Sequence, residues 1–168
     1  MLAMSDTPIE KFLPFFASSG IDVCFLVLTP TGYEKSIMDA TAPVRDMLSS
    51  KGIHDYSLQG QGQENKVVIK SYFVEVDGVK ETAASLYRPV TKNGDPRIWF
   101  HNLRKYCKPC NLLALVFIEK EIYVINLSNP LISNSLLGKG YVYDIVREAV
   151  IKDEQIANEL SNFMRSIL

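Results

Sequence analysis

Two apolar runs constrain this chain more than anything else in it: residues 111–118 (NLLALVFI) and 121–127 (EIYVINL), separated only by Glu119-Lys120. Each run is strand-sized, and two of them over a short charged turn predict a β-hairpin. Neither approaches the roughly 18 apolar residues that span a bilayer, so no membrane partner is expected.

The segments around this hairpin supply its neighbours. Thr7-Pro8-Ile9-Glu10 has the order of a capped helix start, with Phe12, Phe15 and Phe16 as an apolar face and Gly20 as the stop. Residues 21–29 (IDVCFLVLT) predict a strand, residues 30–36 a polar loop, and residues 41–50 a helix with Val44, Met47 and Leu48 on one side. Residues 54–65 (HDYSLQGQGQEN) are polar and predict a loop with at most one short strand. Residues 66–76 then alternate as a strand, Asp77-Gly78 signals a tight turn, and residues 80–88 return. Residues 89–96 predict a loop, 97–100 (RIWF) a short strand, and 102–106 a single helical turn. Beyond the hairpin, residues 129–135 predict a loop, and residues 141–151 and 154–167 helices; in the last, Ile156, Leu160, Phe163 and Ile167 recur at helical spacing. The order predicts one α+β domain over residues 1–168, with mostly antiparallel strands in the middle and flanking helices.

Length and composition agree with a globular domain: 168 residues, 47% hydrophobic and 22% charged. The N-terminus carries Asp6 and Glu10 and lacks a basic flank before an apolar stretch, so no secretory signal is expected. Three cysteines, an odd and low count, point to a reducing cytoplasm rather than a disulfide scaffold.

Chemistry of the common kinds finds little support. Cys107-Lys108-Pro109-Cys110 has the spacing of a redox or zinc pair, but it follows a short helix instead of opening one, and neither His54 nor His101 completes a finger spacing. No nucleophile elbow is present. Gly60 and Gly62 lack the following Lys-Ser/Thr of a phosphate cradle. A metal-dependent nuclease requires clustered acids beside a lysine; Glu75, Asp77, Glu81, Glu119 and Glu121, with Lys80 and Lys120, are the candidates, and all but Glu81 flank turns. Neither a catalytic residue nor a metal ligand nor a cofactor site is therefore expected.

Charge is more informative in its distribution than in its total. The chain carries −1 overall, yet residues 88–108 carry +5, from Arg88, Lys92, Arg97, Arg104, Lys105 and Lys108 against Asp95. A concentrated positive segment is an electrostatic footprint for nucleic acid, or else a solvated face. Two segments, residues 29–38 (TPTGYEKSIM) and 87–100 (YRPVTKNGDPRIWF), are rich in groups that bond phosphates and base edges. The candidates are Thr31, Tyr33, Glu34, Lys35 and Ser36 in the first, and Arg88, Lys92, Asn93, Asp95 and Arg97 in the second, with Arg104 and Lys105 just beyond.

The stretch SLYRPVTKNGDPRIWFHNLRKY, followed by NLLALVF and EIYVINLS, resembles the N-terminal effector-binding domain of EcoRII-type restriction endonucleases and the matching domains attached to MvaI/BcnI-like nucleases. The earlier run LVLTPTGYEKSIMDATAPVRDML is similar to the first DNA-contacting arm of such domains and the helix after it. The likeness covers residues 21–128. It implies a DNA-binding pseudobarrel, related to the plant B-three transcription-factor fold, whose two arms grip the major groove of double-stranded DNA at short CC-x-GG-like sites. By position the N-terminal arm is residues 29–36; the C-terminal arm is residues 92–97, with Arg88 at its root. Asp95-Pro96 stands where the family's arm is more basic. The resemblance implies a non-catalytic recognition module whose nuclease domain is covalently linked or separate. A small Mg²⁺-dependent nuclease and a protein-interaction domain are the rival readings.

Overall fold

A computed structural model describes residues 9–18, 22–138 and 140. The Thr7-Pro8 helix start, the Gly20 stop and the two helices expected over residues 141–151 and 154–167 lie outside the described residues.

Seven strands form one sheet: β1 (Val23–Val27), β2 (Met38–Asp39), β3 (Val67–Glu75), β4 (Gly78–Tyr87), β5 (Arg97–Phe100), β6 (Leu112–Ile118) and β7 (Glu121–Asn126). Their order is β1-β6-β7-β3-β4-β5-β2, and every pairing is antiparallel except the β3–β7 contact. The expected α+β class with mostly antiparallel strands is what the chain adopts, and the sheet is curled.

The hairpin that dominates the sequence supplies the second and third strands of this order, both interior to the sheet. All seven residues of β6 are buried, which is why its run is apolar without a break: β1 and β7 flank it and both of its faces are covered. On the concave side, Leu113, Leu115 and Phe117 join Leu26, Leu28, Phe73, Leu86, Ile98 and Phe100 in one core. Helix α3 (Ala42–Ser50) plugs that side with Val44 and Leu48. On the convex side, Leu112, Ala114, Val116 and Ile118 pack with Ile125 under Phe12 and Phe16, at and within α1 (Leu13–Ser18), and under Ile132 and Leu136 of α5 (Pro130–Leu137). Strand alternation thus sorts one sheet into two cores.

Most of the expected elements are present within a residue or two. Two local differences are instructive. The β3–β4 turn is Val76-Asp77, with Glu75 opposite Gly78, one residue earlier than the Asp77-Gly78 signal suggested. Residues 129–135, expected as a loop, are the start of α5: Asn129 accepts from the Leu131 N–H at 3.0 Å and Pro130 takes the first helical position. A cap residue followed by proline is a helix start, and here it overrides the turn propensity of Asn-Pro.

The cysteines divide by burial. Cys107 caps α4 (Leu103–Tyr106) and lies in the concave core, where burial, with Glu75 adding to it, pushes its thiol up to about 12. Burial, then Asp22 and Asp46, raises Cys24 to about 11. Cys110 is half-buried in the turn entering β6, with φ +69. Because the thiolate is the reactive form, iodoacetamide at pH 8 should label Cys110 in the folded protein and spare Cys24 and Cys107. Mass spectrometry of the digested adduct checks this; prompt labelling of Cys107 would contradict its placement.

Candidate nucleic-acid interface

The first of the two polar segments is a helix, not a loop. In α2 (Pro30–Lys35) the Thr29 hydroxyl accepts from the Gly32 N–H at 2.9 Å, Pro30 occupies the first position, and Ser36 ends the helix in the left-handed region at φ +57. Thr29-Pro30 is the same kind of cap-and-proline pair that starts α5. Gly32 is demanded by space: a Cβ there would stand 2.6 Å from the Ile37 carbonyl oxygen.

The second segment is a tight left-handed turn. Lys92, Asn93 and Gly94 all have positive φ, at +51, +58 and +71. The Gly94 N–H bonds the Thr91 carbonyl at 2.9 Å, and the Asp95 N–H bonds that of Lys92 at 3.2 Å. Asn and Gly tolerate this conformation; lysine adopts it only when neighbours hold it there. The clamp is Arg88, whose Nε donates to the Gly94 carbonyl at 2.8 Å and whose second guanidinium nitrogen donates to the Gln59 carbonyl at 2.9 Å. Gln59 is itself buried and donates to the carbonyls of Asn65 and Leu86, both at 2.9 Å. The root of this arm is therefore a polar network in which Arg88 and Gln59 are already engaged.

These two segments meet. Thr31 and Lys35 of α2 and Lys92, Asp95 and Arg97 of the second segment line one cleft of about 620 Å³. Its walls are Phe25–Val27 of β1 and Ile37–Asp39 at β2, which stand at opposite ends of the strand order. The curl of the sheet brings its two edges to face each other across this cleft. Lys35 and Lys92 are exposed at the rim and neither is in an ion pair among the described residues.

Other candidates sit elsewhere. Arg97 is inside the cleft, but its guanidinium pairs with Asp39, its register partner across β5–β2, and its side chain is only 11% exposed. Nothing in the local sequence marked Asp39; the contact exists only because β2 and β5 pair. Arg88 and Asn93 open on an adjoining groove with Arg45, Asp46 and Asp55, joined to the cleft at Asp95. Arg104, on α4, lies 5.3 Å over the half-buried Tyr33 ring and donates to the Glu34 carbonyl, so it ties α4 to α2. Lys105 is exposed with its ammonium 5.8 Å from the Tyr106 ring. Tyr33, Glu34 and Ser36 do not line the cleft.

Of the nuclease candidates, Glu75, Asp77 and Lys80 share the β3–β4 tip. Lys80 contacts Asp77 at 3.3 Å, and burial, with Asp77 adding to it, raises the Glu75 carboxyl despite Lys80 nearby. Among the described residues, no group of three or more His, Cys, Asp or Glu side chains is arranged to hold a metal ion. No helix among them is long and apolar enough to cross a membrane. Comparison with protein-family models, with curated proteins and with solved structures found no match.

Proposed function

We propose that this chain binds duplex DNA sequence-specifically across the rim of the cleft, as the recognition domain of a restriction system. The observation that carries the reading is convergence. Two segments about 60 residues apart in sequence, each singled out for its phosphate- and base-bonding groups, form the lips of a single opening. Lys35 and Lys92 supply unpaired positive charge to opposite lips, which suits two phosphate tracks on either side of a groove. Asn93 and Asp95 are exposed at the tip of a clamped, stiff turn, so little entropy remains to be lost when they meet base edges. The curled sheet is compatible with the pseudobarrel that the resemblance to EcoRII-type effector domains implies.

Arg97 changes role in this reading. A bidentate contact to guanine would require its pairing with Asp39 to open, so in the free chain Arg97 fastens β2 to β5 beneath the rim. The base-reading positions are then Asp95 and, on the opposite lip, Thr31, with Asn93 in the adjoining groove that meets the cleft at Asp95.

A gel shift with random and CC-x-GG-containing duplexes, with and without Mg²⁺, tests the proposal. The expected result is a retarded, intact duplex whose shift is indifferent to Mg²⁺ and stronger on one sequence class. Metal-dependent cleavage that disappears in Glu75→Ala would replace the recognition domain by a nuclease, and absence of any shift would leave the protein-interaction reading.

A further inference from the structure

We propose that the gap between the two sheet edges also accepts an extended acidic peptide as an eighth strand, which pairs with β1 and closes the curled sheet into a barrel. This inference goes beyond DNA binding and rests on different atoms. The hydrogen-bonding phase of β1 is fixed by its ends. The Phe117 N–H bonds the Asp22 carbonyl at 3.0 Å, and the Leu28 N–H bonds that of Asn111 at 3.0 Å. In the antiparallel β1–β6 register, Asp22, Cys24, Leu26 and Leu28 therefore turn their backbone groups towards β6. Val23, Phe25 and Val27 turn theirs the other way, and Phe25 and Val27 do so at the wall of the cleft.

Those outward groups have no backbone or side-chain partner among the described residues. A row of unpaired N–H and C=O groups on a strand edge is a template for another strand. The facing wall offers a single position. Met38 pairs with Ile98, and the Ala40 N–H bonds the Pro96 carbonyl at 3.0 Å, which leaves the Asp39 backbone turned away from β5, while the Ile37 N–H is taken by the Gly32 carbonyl at 3.1 Å. The five residues of β1 offer an edge about 17 Å long.

Both sheet edges line one cleft, β1 on one side and residues 37–39 on the other, so a strand added to β1 lies between them. Charge selects the chemistry. Lys35 and Lys92 at the rim outweigh the lone unpaired carboxylate of Asp95, since Asp39 is taken up by Arg97. Leu26 and Met38 on the concave side favour an apolar residue at the inward positions.

The probe is an acetylated, amidated heptapeptide of alternating glutamate, valine and threonine, with a lysine-for-glutamate version as control. Its binding is read by fluorescence anisotropy and by amide hydrogen exchange on the whole chain. The acidic peptide should bind at least tenfold more tightly than the basic one. At saturation it should slow exchange at Val23, Phe25 and Val27 at least tenfold, leaving the β6 amides unchanged. Phe25→Pro, which removes an outward N–H from an edge position, should abolish both effects. Lys35→Glu with Lys92→Glu, a surface change that leaves the backbone edge intact, should reverse the charge preference. Three results would overturn the proposal: peptide binding without protection of those amides, undiminished binding to a folded Phe25→Pro chain, or protection that grows with protein concentration in the absence of peptide, which would assign the edge to self-pairing. Duplex DNA titrated into the Phe25→Pro chain separates the two readings, because DNA held at the rim by side chains should bind it as it binds the parent.

Discussion

Replacing Arg88 with methionine should lower stability more than any other change to the second arm, by about 3 kcal/mol, because it removes two charge-assisted hydrogen bonds together. The Gly94 and Gln59 carbonyls would both lose their donor, at 2.8 and 2.9 Å in the intact chain, and methionine fills the space without replacing either bond. For a domain of this size the fall in Tm should be roughly 6–12 °C. Arg88→Lys should recover less than half of it, since a single ammonium cannot span both acceptors. The loss should be accompanied by faster amide exchange at Gly94 and Asp95, whose turn bonds depend on the clamp. Thermal melts and exchange on the three proteins check this. An Arg88→Met chain that melts with the parent would mean that the arm is held by its own backbone turns.

The second large effect concerns affinity. Lys35→Ala combined with Lys92→Ala should weaken duplex DNA binding roughly 50-fold in 0.1 M salt, if each lysine neutralises one phosphate and each such contact contributes about 0.9 to the log–log salt slope. Both lysines are exposed and outside any ion pair, so Tm should change by no more than about 1–2 °C. The Arg88 change acts through the fold of the arm, the lysine changes through charge at its surface. Equal losses on every duplex sequence are expected, because phosphate contacts carry no sequence information.

Much of this architecture is legible in the sequence because it is written in local periodicity. The unbroken run of β6, the alternation of β3 and the short RIWF strand each state their own burial, and each is found where expected. The two α-helices found where loops are expected, α2 and the start of α5, have one cause. Thr29-Pro30 and Asn129-Pro130 join a turn-forming residue to a proline, and the same pair also describes a capped helix start; only the Gly32 and Leu131 N–H groups reaching the cap oxygens decide between them. At the candidate site, residue types were readable but their engagement was not. Arg88, Arg97 and Arg104 all count as free cations in a sequence, and each is committed to a partner: Gly94 and Gln59 for the first, Asp39 for the second, Glu34 and Tyr33 for the third. Those partners lie from 6 to 71 residues away along the chain; Gly94 meets Arg88 across the local turn, and the others are brought together by the tertiary fold. The edge-to-edge cleft was invisible for the same reason, since it belongs to the curl of the sheet and to no segment of it.

The claim that the cleft rim is a DNA-binding surface is tested most directly by the salt dependence of duplex binding, measured by anisotropy between 50 and 200 mM salt for the parent and for the Lys35→Ala, Lys92→Ala chain. A straight log–log dependence is expected for both, with the slope of the double variant shallower by about 2 and sequence preference retained. Identical slopes in the two proteins, or no binding by the parent at 50 mM salt, would contradict it.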